Sequence, residues 1–147
     1  INMNVIAYNR SPKMVQGVQI KSFEELLKES DAITINTTHT KENENMIDKK
    51  EFELMKQGVI IVNTADRASV NEQAMADAIK SGKVYGYAYE AENLEHGPLV
   101  GLENAVGIQG FGLYTKEALH RLLDILIDNV EAMTKNRSIH VVNGVNT

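Results

Sequence analysis

The stretch after Gly58 constrains the fold most. Four β-branched residues, Val59-Ile60-Ile61-Val62, run without a polar break into Asn63-Thr64-Ala65. So short a run predicts a strand buried on both faces, as inside a parallel sheet. Small residues at its end let a ligand approach the backbone. Asn71 with Glu72 then predicts the capped start of a helix. A strand that ends in a small polar loop before a helix is where open α/β sheets bind ligands.

The same alternation runs through the chain. Asn4 to Tyr8 reads as a strand closed by Asn9-Arg10-Ser11-Pro12, and Val18 to Ile20 as a short second strand. Ser22 with Glu25 forms a capping box before Leu26-Leu27, which predicts a helix to about Ser30. Asp31 to Asn36 is a third strand and Thr37 to Asn45 a polar loop. Asp48 with Glu51 is a second capping box, opening a helix that Gly58 should close. Helix 71–81 stops at Gly82, and Val84 to Ala88 is the next strand. Glu90 to Gly101 reads as an acidic loop, and Ala105 to Ile108 as a last strand. A long helix from Thr115 to about Lys135 carries an apolar stripe at helical spacing, read as packing surface. Ile139 to Asn143 is a short extended tail. Strands alternating with helices imply parallel pairing and right-handed crossovers. The expected buried set is Val5, Ile6, Ile33, Ile35, Ile60, Ile61, Val62, Ala88 and Val106.

Composition excludes several functions. The 147 residues suit one domain, with no repeat or linker that would mark a second. A net charge of −5 without a basic run argues against a nucleic-acid surface. There is no cysteine, so thiol chemistry is out and a cytoplasmic location is the expectation. No apolar run approaches the ~18 residues of a membrane span. His39, His96, His120 and His140 are scattered, and no spacing suggests a metal site.

Asn63-Thr64-Ala65, Val70, Glu72-Gln73-Ala74 and Ile79 to Val84 resemble one segment of the D-2-hydroxyacid dehydrogenase family. That segment usually reads Asn-Thr-Ala-Arg-Gly, two residues, Val-Asp. The likeness continues in near-gapless order over most of the chain. It implies an α/β, Rossmann-like, mostly parallel sheet with helices on both faces, and a chain that is one partial nucleotide-binding domain. It also implies a nicotinamide cofactor and a 2-oxo or 2-hydroxy acid as substrate, and allows a homo-oligomer or a complementing chain.

Carried over position by position, the likeness assigns a cofactor-binding set. Asn9, Arg10 and Ser11 follow the strand that reads the adenosine ribose. NAD-preferring members have Asp there, and Asn-Arg resembles members preferring NADP. Chemistry agrees, since Arg can hold a 2′-phosphate with a bidentate pair. Thr37 and Thr38 stand in the cofactor loop. Thr64, Ala65 and Asp66 follow the organising strand. Glu90 stands where a carboxylate meets the nicotinamide amide, and Gly110 and Gly112 complete the set. Glu95 stands at the position of the catalytic acid.

Two substitutions disturb the chemistry. The family's catalytic Arg position is Asp66 and its catalytic His position is Gly110. Glycine has no proton to give, and loss of a general acid costs ~10²–10⁴ in rate. Asp66 would repel a substrate carboxylate by ~1–4 kcal/mol at ~4 Å. Arg67 adjoins Asp66 but should face the other side of an extended segment. His96, beside Glu95, reads as a solvated loop residue. Two functions stay open: a dehydrogenase part with a lost or remodelled site, and a non-catalytic scaffold or interaction module.

The likeness begins at the family's second strand, and no Gly-x-Gly-x-x-Gly occurs in the chain. The family's first strand lies between its second and fourth. Its absence would leave the Asn4–Ala7 and Asp31–Asn36 strands each short of a neighbour. The two could pair directly, another chain could fill the gap, or the native protein could be longer. The last is the expectation favoured here.

Overall fold

The computed structural model describes residues 3–11, 14–110, 112, 114–137 and 139. They form two compact units, Ile1–Gln109 and Gly110–Thr147, treated separately below.

The first unit opens with two short strands, β1 (Ile6–Ala7) and β2 (Gln19–Ile20), paired in parallel. Helix α1 (Phe23–Glu29) follows, and the Ser22–Glu25 capping box is formed. Strand β3 (Ala32–Ile35) leads to a 3₁₀ turn at Lys41–Asn43 that the polar-loop reading did not anticipate. Helix α2 (Lys49–Leu54) begins at the Asp48–Glu51 capping box. It ends at Leu54, before Gly58, because Met55 is already extended. Strand β4 (Val59–Asn63) is the organising strand. The Asn71 side chain accepts a hydrogen bond from the Ala74 N–H and caps α3 (Glu72–Lys80). Strand β5 (Val84–Ala91) and β6 (Ala105–Gln109) complete the unit.

Strands β3-β4-β5-β6 lie side by side in that order, all parallel. Val59 pairs with Val84 and Ile60 with Gly86, so Tyr85 is an extra residue that bulges from β5. The bulge turns Tyr87, Tyr89 and Ala91 to the same side as Val84, where all four are buried. Leu27 of α1, Phe52 of α2, and Met75 and Ile79 of α3 form one core with Ile33, Ile35, Ile61 and Tyr87. The three helices therefore share one face of the sheet.

The opposite face corrects the expectation of a strand buried on both sides. Register aligns Thr34, Val62, Ala88 and Val106 in one cross-strand row, with Ile60 beside it. Ile60 is 43% exposed, Val62 38% and Val106 55%, while Ile61 between them is 0% exposed. Within residues 3–109 helices cover one face, not both. Ile33, Ile35 and Ile61 are buried as expected; Ile6 and Ala88 are half-buried. Val5, on the short first pair, is exposed.

The β1–β2 pair is a separate two-stranded sheet. β1 and β3 therefore do not pair directly, which removes the first of the three arrangements considered above.

The second unit holds α4 (Lys116–Thr134), capped by the Thr115 side chain, which accepts from the Ala118 N–H. In its apolar stripe, Leu122, Leu123, Leu126, Val130 and Met133 are exposed. Of the expected extended tail, residues 140–143 lie outside those described.

Candidate functional site

Parallel strands bring their carboxyl ends to one edge, and the candidate residues of the first unit collect on the loops that leave them. Asn9, Arg10 and Ser11 follow β1. Thr37 and Thr38 follow β3, and Thr64, Ala65 and Asp66 follow β4. Glu95 is on the loop after β5. Glu90, expected in that loop, is instead on β5 itself, because the strand continues to Ala91 by pairing with Gln109.

Asn63, fully buried, organises the β4 loop. Its Oδ1 accepts from the Ala65 N–H at 2.9 Å, and its Nδ2 donates to the Asp66 carbonyl at 3.3 Å and the Tyr87 hydroxyl at 3.3 Å. The Ser69 hydroxyl also donates to the Asp66 carbonyl, at 2.7 Å. The Thr64 hydroxyl donates to Asn36 Oδ1 at 2.9 Å, which ties the loop to the end of β3. The Asn45 N–H donates to the Ala68 carbonyl and the Asn71 N–H to the Ile47 carbonyl, so the same loop is laced to the segment before α2. Backbone groups here are held by buried partners, a rigid setting for a ligand.

Asp66 is exposed, and its Oδ1 accepts from the Ala68 N–H at 2.8 Å as the cap of a 3₁₀ turn, Arg67–Ser69. Arg67 therefore sits in a turn, not on the extended segment expected. Its Nε donates to Glu72 Oε1 at 2.5 Å and its Nη1 to the Asn93 carbonyl at 2.5 Å. The guanidinium lies 5.5 Å from the centroid of the Tyr89 ring, which stacks on Tyr87 at 5.1 Å. The hydrogen bond to Glu72 raises the Arg67 pKa. The Tyr87 hydroxyl is pushed up to about 12, chiefly by burial.

Glu95 is exposed on the loop, and its N–H donates to Asn93 Oδ1 at 3.0 Å. Glu92, Asn93, Leu94, Glu95 and Gln109 line an open depression of about 350 Å³. His96 is exposed.

After β1, Asn9 Nδ2 donates to the Ser11 carbonyl at 2.6 Å and closes the turn that carries Arg10. Arg10 is exposed and makes no ion pair among the described residues. Thr37 and Thr38 are exposed, and the Thr38 carbonyl accepts from Asn43 Nδ2 at 2.8 Å. Gly110 and Gly112 belong to the second unit, and Gly112 is exposed.

Sequence reasoning named Asn63 and Glu72 only as a small strand-end residue and a helix-start residue, and did not single out Tyr87, Tyr89 or Asn93. One signal was available: an amide side chain ending a β-branched run needs buried partners. Among the described residues no group of three acidic or histidine side chains could hold a metal ion. No described helix is long and apolar enough to cross a membrane.

Comparison with known proteins agrees with this geometry. A family model described as "D-isomer specific 2-hydroxyacid dehydrogenase, NAD binding domain" matches residues 1–122. The chain is 36% identical over 156 residues to a D-3-phosphoglycerate dehydrogenase of Archaeoglobus fulgidus, covering 99% of this chain and 29% of that protein. It superposes on an acyclic imino acid reductase in complex with NADPH and D-Arg with a TM-score of 0.84 and 28% identity, covering 96% of this chain and 46% of that one. A D-lactate dehydrogenase from Aquifex aeolicus complexed with NAD and lactic acid gives a TM-score of 0.81 and 26% identity, covering 91% and 47%. The chain thus spans less than half the length of these proteins. It belongs to the D-isomer specific 2-hydroxyacid dehydrogenase family, and its match falls on the family's NAD-binding domain.

Proposed function

We propose that these 147 residues act as one partial nucleotide-binding domain that takes NADP(H) in preference to NAD(H) and does not itself reduce 2-oxo acids. The observation that carries this reading is the fate of the two charges after β4. Asp66 presents a carboxylate where the family has its substrate-binding Arg, and the Arg67 guanidinium is committed to Glu72 and Asn93. A 2-oxo acid would meet a negative charge with no free cation in this loop.

The residues fit the two ends of a dinucleotide. Arg10, exposed beside the Asn9 turn, suits a 2′-phosphate. The firmly held Thr64–Ala65 backbone and Glu90 suit the nicotinamide amide. No glycine-rich loop for the pyrophosphate occurs in the sequence. When bound, the nicotinamide supplies or accepts the hydride. Glu95 stands where the family has the carboxylate that orients an imidazole, and the family's imidazole position is Gly110 here, which has no proton to give. The same substitutions favour the second reading, a scaffold or interaction module that keeps only the fold.

Steady-state oxidation of NADPH and NADH with glyoxylate, pyruvate and hydroxypyruvate tests the proposal. Turnover at background is expected. A rate near the ordinary enzyme median of ~10 s⁻¹ would overturn it. Absence of NADPH binding in solution would favour the scaffold reading.

A further inference from the structure

We propose that Arg67 is a positioning residue: with Glu72 it clamps the segment Asn93–Gly97 at both ends and so fixes where Glu95 stands. One guanidinium makes three different contacts. It pairs with Glu72 at the start of α3, donates to the Asn93 carbonyl and lies over Tyr89 of β5. At the far end of the segment, Gly97 has φ +119°, and a Cβ there would come 3.2 Å from Glu72 Oε2 and 3.6 Å from Arg67 Nη2. Gly97 therefore lets the chain close over the ion pair. Between the Asn93 hydrogen bond and this close approach at Gly97, Leu94 seats on β6 at Gly107, where a Cβ would come 2.5 Å from Leu94 Cδ2. Glu95 lies between these points, and its own N–H is taken by the Asn93 side chain.

The arrangement needs the planar fork of arginine. A lysine keeps the charge but cannot pair with Glu72, donate to Asn93 and stack on Tyr89 at once. Glycine, usual at this position in the family, could make none of these contacts. The pair is only about a quarter exposed, so screening by solvent is partial.

Amide exchange of the chain followed by mass spectrometry, without any dinucleotide, tests the clamp in the parent and in Arg67→Gly, Arg67→Lys and Glu72→Gln. In Arg67→Gly, exchange over residues 93–97 should rise about tenfold or more, while β4 and β5 amides stay within about twofold. Arg67→Lys should stay closer to the glycine variant than to the parent. Glu72→Gln should loosen the same segment, and adding it to Arg67→Gly should loosen it no further, as expected for residues acting as a unit. Unchanged exchange over 93–97 would overturn the proposal. So would a rise spread evenly over β4 and β5, or full protection by lysine. If Arg67→Gly fails to fold, Glu72→Gln decides alone, since it leaves the Asn93 and Tyr89 contacts available. What the loop faces rests on the reading given under Proposed function. Failure to bind NADPH would count against that reading and leave the exchange result standing.

Discussion

Replacing Asn63 by alanine should destabilise the chain by about 2–4 kcal/mol. Two groups lose their partner. The Tyr87 hydroxyl is buried and is left without its Asn63 donor, a cost of ~1–3 kcal/mol. The Ala65 N–H is half-buried and can recruit water, so it adds ~1 kcal/mol or less. The Asp66 carbonyl costs little, because the Ser69 hydroxyl still donates to it. Tyr87→Phe should cost less, ~1 kcal/mol, since Asn63 Nδ2 keeps the Asp66 carbonyl. In the double variant no hydroxyl is orphaned, so the two losses should not add. Urea unfolding followed by circular dichroism measures all three. A loss below ~1 kcal/mol for Asn63→Ala, or strict additivity, would refute the assignment of Asn63 as the pin of this loop. An alkaline arm sharpens the test. The Tyr87 hydroxyl titrates at about 12 folded against 10 in its ordinary state, mainly because burial disfavours the phenolate. Above pH 10 the unfolded chain loses this proton first, so stability falls as pH rises from 10 to 12. The fall should approach ~2–3 kcal/mol and be missing in Tyr87→Phe.

Calorimetric titration should show NADPH binding more tightly than NADH, with Arg10→Ala removing most of the difference; equal affinities in the parent would remove Arg10 from the 2′-phosphate. Neighbouring residues on β4 should respond oppositely to truncation. Ile61→Ala should cost ~2–5 kcal/mol as a core deletion, whereas Ile60→Thr should change stability by ~0.5 kcal/mol or less. Comparable losses from both, read by the same urea titration, would mean the outer face is covered.

Features set by neighbours a few residues apart were legible in the sequence. Both capping boxes and the Asn71 cap formed as read, because each depends on contacts within one turn. Strand alternation also placed Thr37 and Thr38 after β3 and Thr64 to Asp66 after β4. Features set across strands were not legible. Nothing local says that β5 should extend through Tyr89-Glu90-Ala91; that follows from pairing with β6. Four consecutive β-branched residues cannot say which side a helix will cover, so Ile60 and Val62 were misjudged where Ile61 was not. Of the partners of Arg67, Glu72 is five residues away and Asn93 twenty-six. Only the folded arrangement shows that the cation is already engaged.

The division of the strands into two sheets also bears on cooperativity. β1 and β2 share a ladder of two residues each, and beyond it the contact of Tyr8 with Phe23 at 5.2 Å helps hold the pair to α1. No hydrogen-bonded ladder couples that pair to β3 among the described residues. Among the described residues, opening of β1–β2 would break no ladder of the four-stranded sheet, which places it toward the low end of the local unfolding scale. Arg10 rides on the weakly held element and Thr64 on the firmly held one. A ligand touching both would act as a crossbrace, and part of its binding free energy would be spent in quieting the smaller sheet.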